Sequence, residues 1–357
     1  MHKTIWSFDL GNSGLKVLRS GWHDHGGYCL MPEQAYLFPR RGADSASGSG
    51  MVERFLKRAA VKRNDLVAVA LPGDSVLMRF QQFPPIETKE LGHVVFFEAR
   101  QAVPFSLEEV SWDWWLTGRK RVVEQGLLTR SEFGIIATQT KVLSPYLKIF
   151  DDLGLRARLA QPASLALVNF LAVEYPEISV VEGEKAGVIA VLSCGHKNSE
   201  LVICGAGGFW TRNIPIGGQH FTDHLAQVQN KSIRDAESLK CQSDSKPQTE
   251  VATALQTPLA DFFHEVQRSI GFFESLQEIT VRKLILIGGG AKTPGLRYYL
   301  NKGLLLSEGV WFLNTLHNLP MLNDEPFGVD PGQFAICYGL ALQMAGMGKI
   351  NTNLVPR

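Results

Sequence analysis

The segment from Asp9 to Lys16 carries an acid, two glycines, two small polar residues and a lysine, in the order Asp-Leu-Gly-Asn-Ser-Gly-Leu-Lys. Turns of this composition bind phosphate, because their backbone N–H groups converge on the oxygens and the lysine adds positive charge. Asp9 would supply the carboxylate that a phosphate-bound magnesium and its waters need. The same composition is typical of ordinary hairpin turns, so the segment alone leaves that alternative open. The predicted binding residues are Asp9, Gly11, Asn12, Ser13 and Lys16.

Three consecutive glycines, Gly288–Gly290, follow an apolar run and precede Thr293 and Pro294, which have the pattern of a helix start. Three glycines in a row carry a large entropic cost, and they leave the backbone open to a flat ligand or a phosphate. We therefore predict a second ligand-binding loop here; a loose strand-to-helix connection is the alternative. The segment is not a P-loop, since Ala291 precedes Lys292 where that pattern requires glycine.

The sequence lacks other common catalytic and metal-binding patterns. His220 and His224 are four residues apart, but no cysteine or carboxylate pattern accompanies them. His264 and Glu265 begin a zinc-protease pattern that fails at Arg268. The five cysteines form no C-x-x-C pair, which argues against zinc and disulfide frameworks and favours a reduced, cytosolic compartment.

Two distant segments share one pattern and would position the turns. Thr4–Leu18 and Gly187–Ile203 each read as an apolar strand, a glycine-containing turn and a second strand. Such a duplication predicts two similar lobes that each present one turn to a shared cleft, although a chance repeat of a common hairpin remains an alternative. The aligned residues are Asp9 with Ser193, Gly11 with Gly195, and Lys16 with Glu200.

Composition limits the class of protein. The chain has 357 residues, of which 45% are hydrophobic and 20% charged, which fits a folded protein of several lobes. The net charge of +1 argues against a generally basic nucleic-acid binder. Ala163–Val173 is the richest apolar segment and is too short to span a bilayer, and the N-terminus shows no signal peptide. Two polar stretches, Gly42–Gly50 and Cys241–Glu250, are predicted to be exposed loops.

The order of these segments resembles the actin-like ATPase superfamily, and the residues look most like the PilM family of type IV pilus assembly. The similarity covers nearly the whole chain, from about Thr4 to Met344. The segment with the sequence FEARQAVPFSLEEV is the one most specific to PilM-like proteins. The resembling segments are Phe8–Arg19, Val69–Gly73, Phe97–Val110, Ile214–Gly218, Asp235–Lys240, Glu265–Phe273 and Leu286–Leu296.

The resemblance implies an α/β fold of the actin-like type, a duplicated ribonuclease H-like architecture with two lobes and an inserted α+β subdomain of the FtsA/PilM type. The first lobe would comprise residues 1–64 and 163–185 with a terminal helix at 332–346. The insert would span 65–162, the second lobe 186–331, and a flexible tail 347–357.

The resemblance also implies a site for ATP and magnesium. Asp9 would hold magnesium through water, and the segment Asp9–Lys16 would form the first phosphate loop. The second phosphate loop would consist of Gly195, His196 and Lys197. Glu237 and Lys240 would contact ribose and base, and Gly288, Gly289 and Gly290 would form the adenosine loop.

One residue departs from the family pattern. The second phosphate loop usually begins with Asp-x-Gly, whereas this chain has Ser193-Cys194-Gly195. A serine cannot supply the second carboxylate that helps to orient magnesium and the attacking water. Hydrolysis is therefore expected to be weak or absent.

The function implied by the resemblance is that of an ATP-binding adaptor of a type IV pilus or related secretion system. Its partners would be the cytoplasmic tail of a PilN-like inner-membrane protein, other pilus-assembly components and further copies of itself. No nucleic acid and no direct membrane span are expected, and the location would be cytoplasmic, peripheral to the inner membrane. The alternatives are a small-molecule kinase of the same superfamily and an FtsA-like filament-forming ATPase.

The last residues, Ile350–Arg357, have the sequence INTNLVPR and allow two interpretations. Leu354–Arg357 match what thrombin leaves after removal of a purification tag, which predicts a disordered terminus. The segment also resembles the I-N-L-L-P-like cytoplasmic segment of PilN, which predicts a self-ligand in the docking groove of this chain or of a neighbouring copy.

Overall fold

The computed structural model describes twelve ranges of the chain. One end of the predicted loop Gly42–Gly50 forms the start of a helix, and the rest of that loop lies outside these ranges. The described residues are 3–24, 28–39, 48–59, 61–83, 85–117, 122–124, 127–129, 131–179, 187–205, 208–242, 245–319 and 330–356.

The described residues include strands in every part of the chain, and we number them in chain order. They are β1 (Lys3–Gly11), β2 (Gly14–Asp24), β3 (Tyr28–Pro39), β4 (Leu66–Leu71), β5 (Leu77–Phe83), β6 (Ile86–Glu87), β7 (Val110–Leu116), β8 (Val122–Glu124), β9 (Leu127–Thr129), β10 (Ser131–Gln139), β11 (Ala157–Pro162), β12 (Val188–Cys194), β13 (Ser199–Gly205), β14 (Gly208–Ile214), β15 (Val281–Ile287) and β16 (Gly309–Phe312).

The helices are numbered in the same way. They are α1 (Gly48–Leu56), α2 (Leu91–Ala102), α3 (Thr140–Asp151), α4 (Ala163–Glu174), α5 (Gly218–Val228), α6 (Ile233–Lys240), α7 (Ser245–Ala254), α8 (Gln256–Gln277), α9 (Leu296–Leu304) and α10 (Pro331–Met344). Helix α7 contradicts the prediction that Cys241–Glu250 is an exposed loop. One buried side chain of α7, Val251, lies in the core of the second lobe, and this packing explains a helix in a sequence of low apolar content.

Two five-stranded sheets form the two lobes. The first has the order β11-β4-β1-β2-β3, and the second has the order β16-β15-β12-β13-β14. In each sheet the central strand and the two strands on one side of it pair in parallel, whereas the central strand and the two strands on the other side form antiparallel pairs. The cross-strand register pairs Asp9 with Lys16 in the first sheet and Ser193 with Glu200 in the second. The predicted duplication is therefore confirmed.

The two lobes share one hydrophobic core. Helices α4 and α10 are apolar on all sides and almost wholly buried, as expected for helices enclosed between layers. Their side chains pack with residues of both sheets, for example Leu71 of the first lobe and Val191 of the second. This shared core fixes the ends of β1 and β12, where the two turns begin.

A smaller sheet with the order β5-β10-β7 forms the inserted subdomain, and α2 covers it. The predicted insert of 65–162 is too long at both ends. Strand β4 pairs with β1, and β11 pairs with β4, so both belong to the first sheet. Helix α3 also packs on the first lobe, where Phe150 lies 5.0 Å from Phe8 between ring centroids. Only pairing over a long sequence distance assigns these strands to a sheet.

The prediction of a flexible tail at 347–357 is wrong for the described residues of that segment. Ile350 is 5% exposed and Leu354 is fully buried. Both contact the core that joins the lobes, together with the partly buried Val355. The tail therefore packs as an integral part of the fold, because its apolar residues fill a groove beside α4 and α10.

Candidate functional site

The first turn places a buried ion pair at the end of β1. The Lys16 ammonium lies 2.8 Å from Asp9 Oδ2, and both side chains are mostly buried. Burial works to lower the pKa of Lys16, but the charge and hydrogen bond of Asp9 outweigh it, so the pKa is raised. Asn12 and Ser13 are exposed at the tip of the hairpin. The turn thus offers a fixed positive charge beside a free backbone tip, as a phosphate site requires.

The second turn joins β12 to β13 and lies against the start of α5. The Gly195 N–H donates to the Asn198 carbonyl at 3.0 Å, and a Cβ on Gly195 would lie 2.6 Å from that oxygen. The Gly195 carbonyl accepts from the Gly218 N–H at 2.9 Å, so the turn itself satisfies the first donors of α5. His196 is partly buried and Lys197 is exposed. Lys197 is therefore the side chain of this turn that stands free for an anion.

The triple glycine packs against this second turn. Gly288 has a φ of +83°, and a Cβ there would lie 2.6 Å from the Cys194 carbonyl oxygen. A Cβ on Gly290 would lie 2.9 Å from the Gly195 carbonyl oxygen, whereas Gly289 faces open space. Two of the three glycines therefore permit close backbone packing, and Gly289 is the one that leaves room for a flat ligand.

The Lys240 ammonium is hydrogen-bonded within the second lobe, at the start of α5 and along α6. Its ammonium is buried and donates to the Gly218 carbonyl, to Thr222 Oγ1 and to Glu237 Oε2, at 2.8, 2.7 and 2.7 Å. These bonds use all three of its N–H groups. Burial raises the pKa of Glu237, but the bonds from Lys240 and Thr222 outweigh this effect and hold the pKa low. Lys240 therefore orients an ionised Glu237, whose side chain is 45% exposed.

Glu200 is a candidate residue that the sequence reasoning aligned but did not place in the site. Its carboxylate reaches from the second lobe to the first, where a Cβ on Gly73 would lie 2.6 Å from Glu200 Oε1. The pKa of Glu200 is raised to about 7, because burial raises it most, the charges of Asp74 and Asp9 add to this, and the Ser164 hydroxyl only partly offsets them. Its alignment with Lys16 was the signal that could have identified it.

Gln161 was also missed. It lies at the end of β11 and pairs with Ala70, which in turn pairs with Asp9, so the three form one row across the sheet. Its amide is fully buried, and neither its oxygen nor its nitrogen has a hydrogen-bond partner among the described residues. A buried amide without partners is uncommon and is often found where a water or ligand completes the site.

The acidic residues of the cleft fit a magnesium ion that is held mainly by phosphates. Among the described residues, no three His, Cys, Asp or Glu side chains are close enough to hold a metal by themselves. Magnesium commonly keeps several waters and takes only one or two carboxylates from the protein, with substrate phosphates as the other ligands. Asp9 presents Oδ2 to Lys16, and its carboxylate is the group of the first turn that would hold a magnesium-bound water.

A second candidate site is the groove that holds the C-terminal segment. It lies between two sheet edges, β11 of the first lobe and β7 of the insert. Asn353 Oδ1 accepts from the Ala160 N–H at 3.0 Å, and the Leu354 N–H donates to the Ala160 carbonyl at 2.9 Å. On the other side, the Ser111 hydroxyl donates to the Leu354 carbonyl at 2.5 Å, and Asp113 accepts from the Asn353 N–H at 2.8 Å.

The same groove also hydrogen-bonds to the main chain nearer the start of the segment. The Asn169 amide, which is fully buried, donates to the Ile350 carbonyl at 3.0 Å and accepts from the Ile350 N–H at 2.7 Å. Gln343 donates to the Thr352 carbonyl at 2.8 Å. The site is therefore built to hold an extended peptide, since most of these bonds reach its main chain and one leucine fills the buried position.

The comparisons with known proteins agree with this architecture. The sequence profile of the family described as "Type IV pilus assembly protein PilM" matches residues 37–345. A solved structure titled "PilM-PilN type IV pilus biogenesis complex" has a TM-score of 0.75 and 22% identity over 96% of this chain and 98% of that one. The ethanolamine utilization protein EutJ from Carboxydothermus hydrogenoformans has a TM-score of 0.51 and 13% identity, over 96% of this chain and 89% of that one. No curated protein matches the sequence.

These similarities confirm the predicted fold. The neighbours are of the actin-like type, and their coverage of the chain includes both lobes and the insert. None of the helices among the described residues is long and apolar enough to cross a membrane.

Proposed function

The chain belongs to the family of type IV pilus assembly protein PilM, and from this premise we propose that it is a nucleotide-binding adaptor that docks the cytoplasmic segment of a PilN-like inner-membrane protein. A neighbour of similar fold was solved as a PilM–PilN complex, and the proposal extends that pairing to this chain. The location would then be the cytoplasmic face of the inner membrane, reached through the partner.

The observation that carries the proposal is the peptide groove between β7 and β11. It holds the main chain of the segment through the Ala160 carbonyl of β11 on one side and the Ser111 and Asp113 side chains of β7 on the other, and it buries Leu354 completely. Its present occupant, Ile350–Pro356, resembles the I-N-L-L-P-like segment expected of the partner. A partner segment of this kind would form the same bonds, so the chain's own tail would compete with it for the groove.

The test measures binding of a labelled PilN-like peptide by fluorescence anisotropy. We expect a chain that ends at Met347 to bind the peptide on the order of tenfold more tightly than the full chain, because removal of an intramolecular competitor raises the apparent affinity. In the full chain, Asn353→Ala removes the amide contacts to Ala160 and Arg158 and should give an intermediate gain.

Asn213→Ala is the matched control, since Asn213 is exposed on β14, away from the groove. Equal affinity of the full chain, the shortened chain and Asn353→Ala would contradict competition by the tail. Absence of peptide binding by all of them would contradict the proposed partner.

The nucleotide part of the proposal is supported by the pair of turns. Asp9 and Lys16 fix an ion pair on the first-lobe side, while on the other side Gly289 leaves its backbone accessible and Lys197 is exposed. When bound, magnesium would neutralise phosphate charge, and this chain would hold it through water on Asp9. A nucleotide that contacts both lobes stabilises their closed arrangement, because it binds that state better than the open one.

The proposal includes weak or absent hydrolysis, since Ser193 brings no carboxylate to the second turn. The rival functions give different results in the same peptide assay performed with and without ATP. An adaptor binds the peptide and responds to ATP. A small-molecule kinase shows no peptide binding, and an FtsA-like filament protein assembles when ATP is added.

A further inference from the structure

The edge of the first sheet that lies opposite the cleft is rich in basic side chains. Helix α1 leads towards the start of β4, and Ala157, the first residue of β11, pairs with Val67 there. Asp9 and its turn lie at the far end of the same strands, because Asp9 pairs with a residue near the end of β4. We call this surface the basic edge, and it comprises residues 53–58, 62–65 and 151–158.

The basic edge concentrates positive charge. It contains seven lysines and arginines and four acids, a net charge of +3, whereas the whole chain has a net charge of +1. Two of the acids already have partners. Glu53 pairs with Lys57 at 2.5 Å, and Asp65 accepts from the Trp6 indole and from the Lys62 backbone N–H, both at 2.9 Å.

Six side chains of the basic edge remain exposed as cations without an ion pair among the described residues. The two acids of this surface that are not yet accounted for, Asp151 and Asp152, are also exposed and offset only part of this charge. The six cations are Arg54, Arg58, Lys62, Arg63, Arg156 and Arg158.

The chemistry of this surface fits the headgroups of anionic phospholipids. Exposed lysines and arginines are attracted to an anionic bilayer by charge alone, and each one adds to the affinity. Single-stranded nucleic acid is bound by aromatic side chains as well, on which its bases stack. The one aromatic residue of the basic edge, Phe55, is 5% exposed and packs in the core, so the surface offers no such stacking platform.

The basic edge is continuous with the peptide groove. Arg158 belongs to both, because its side chain is exposed and its carbonyl accepts from Asn353 Nδ2 at 2.8 Å. A segment of a membrane protein in this groove would hold the basic edge close to the bilayer. A weak electrostatic contact is effective there, because the tether raises the local concentration of the lipid surface.

We propose that the basic edge binds the surface of a bilayer that contains anionic phospholipids. The inference goes beyond the proposed adaptor role, because it gives the chain a contact with lipid that does not require the partner. In this orientation the cleft points away from the bilayer, since its turns lie at the other end of the strands.

The test measures co-sedimentation of the full chain with vesicles of phosphatidylcholine alone and with vesicles of phosphatidylcholine and phosphatidylglycerol in equal parts. We expect binding to the anionic vesicles only, and we expect it to weaken when the salt concentration rises from about 0.05 M to about 0.3 M. The double variant Lys62→Gln/Arg63→Gln should bind the anionic vesicles on the order of tenfold more weakly, because it removes two charges from the surface.

Lys231→Gln/Arg234→Gln is the matched control, because it removes one lysine and one arginine from exposed positions of the second lobe. It should bind as the wild type does. Equal binding to the two kinds of vesicle, or an equal loss in the two double variants, would overturn the inference.

A wild type that binds neither kind of vesicle would overturn the inference as well. In that case, weaker binding of the labelled peptide by Lys62→Gln/Arg63→Gln would assign the basic edge to the partner protein instead. Peptide binding that is unaffected by this variant would leave the adaptor proposal intact. The circular-dichroism spectra of the variants show whether they keep the fold.

Discussion

The two turns that face the cleft share one backbone plan and differ in their charge. In the first lobe, Asp9 and Lys16 face each other and form an ion pair that is mostly buried. In the second lobe, the equivalent positions hold Ser193 and Glu200, and the carboxylate instead contacts the opposite lobe at Gly73. The charged side chains of the first turn therefore pair within their own lobe, whereas the carboxylate of the second turn contacts the other lobe.

This difference bears on function as well as on stability. The first turn keeps one geometry before a ligand binds, because its lysine and its aspartate neutralise each other. A carboxylate held between two lobes responds to what enters the cleft, since closure changes its surroundings. The two lobes thus contain the same hairpin, and the residues at two equivalent positions give the two hairpins different charges and different contacts. Three variants test this contrast.

The largest effect is expected in the first turn. Lys16→Met would leave Asp9 with a buried, unpaired carboxylate, and the free energy of unfolding should fall by about 2–3 kcal/mol, given the small remaining exposure of the pair. ATP binding should be lost as well. Urea unfolding measures the first effect and calorimetry the second.

The control for this variant is Lys57→Met, which breaks an exposed pair with Glu53. It should leave the free energy of unfolding nearly unchanged, because both side chains of that pair are exposed. If Lys16→Met lowers the free energy of unfolding no more than the control does, the ion pair of the first turn does not stabilise the fold.

An intermediate effect is expected in the second turn, and it depends on pH. The folded-state pKa of Glu200 is raised to about 7, so between the unfolded value and 7 the folded state holds the proton more tightly. The free energy of unfolding of the wild type therefore falls as the pH rises through this window, because the folded state loses a proton that it binds more tightly than the unfolded state does. Glu200→Gln removes the titrating group and with it this fall. At pH 8 the variant should be more stable than the wild type by about 1–2 kcal/mol, allowing for partial exposure of the side chain.

At pH 5 the difference should be close to zero, since the carboxyl is then largely protonated in the folded state. Thermal or urea unfolding at the two pH values gives the comparison. A variant that is destabilised equally at both values would show that Glu200 contributes contacts rather than an unfavourable charge.

The smallest effect is expected at Ser193, which stands where the family pattern has aspartate. Ser193→Ala should change the free energy of unfolding by less than about 0.5 kcal/mol and leave phosphate release from ATP at the low wild-type rate, because a hydroxyl does not replace the carboxylate. A phosphate-release assay with Asp9→Ala as a second variant provides the check. Wild-type release at an ordinary ATPase rate that Asp9→Ala abolishes would contradict the expectation of weak turnover.

The sequence by itself determined the features that depend on neighbouring residues. The glycine-containing turns and the strands that precede them were readable, because turn chemistry and hydrophobic periodicity act over a few positions. The repeat was readable for the same reason, and it aligned Glu200 with Lys16 and Ser193 with Asp9.

Only the tertiary structure decided which distant residues meet. In the folded chain, all the N–H donors of Lys240 bond within the second lobe, and Glu200 lies against Gly73. Strands β4 and β11 belong to the first sheet rather than to the insert. The tertiary structure also placed Leu354 in a groove between two sheet edges, although the match of Leu354–Arg357 to a thrombin remnant had predicted a disordered terminus. These outcomes depend on the mutual packing of two lobes and an insert, and the free energy of such contacts is not encoded in any one segment of the chain.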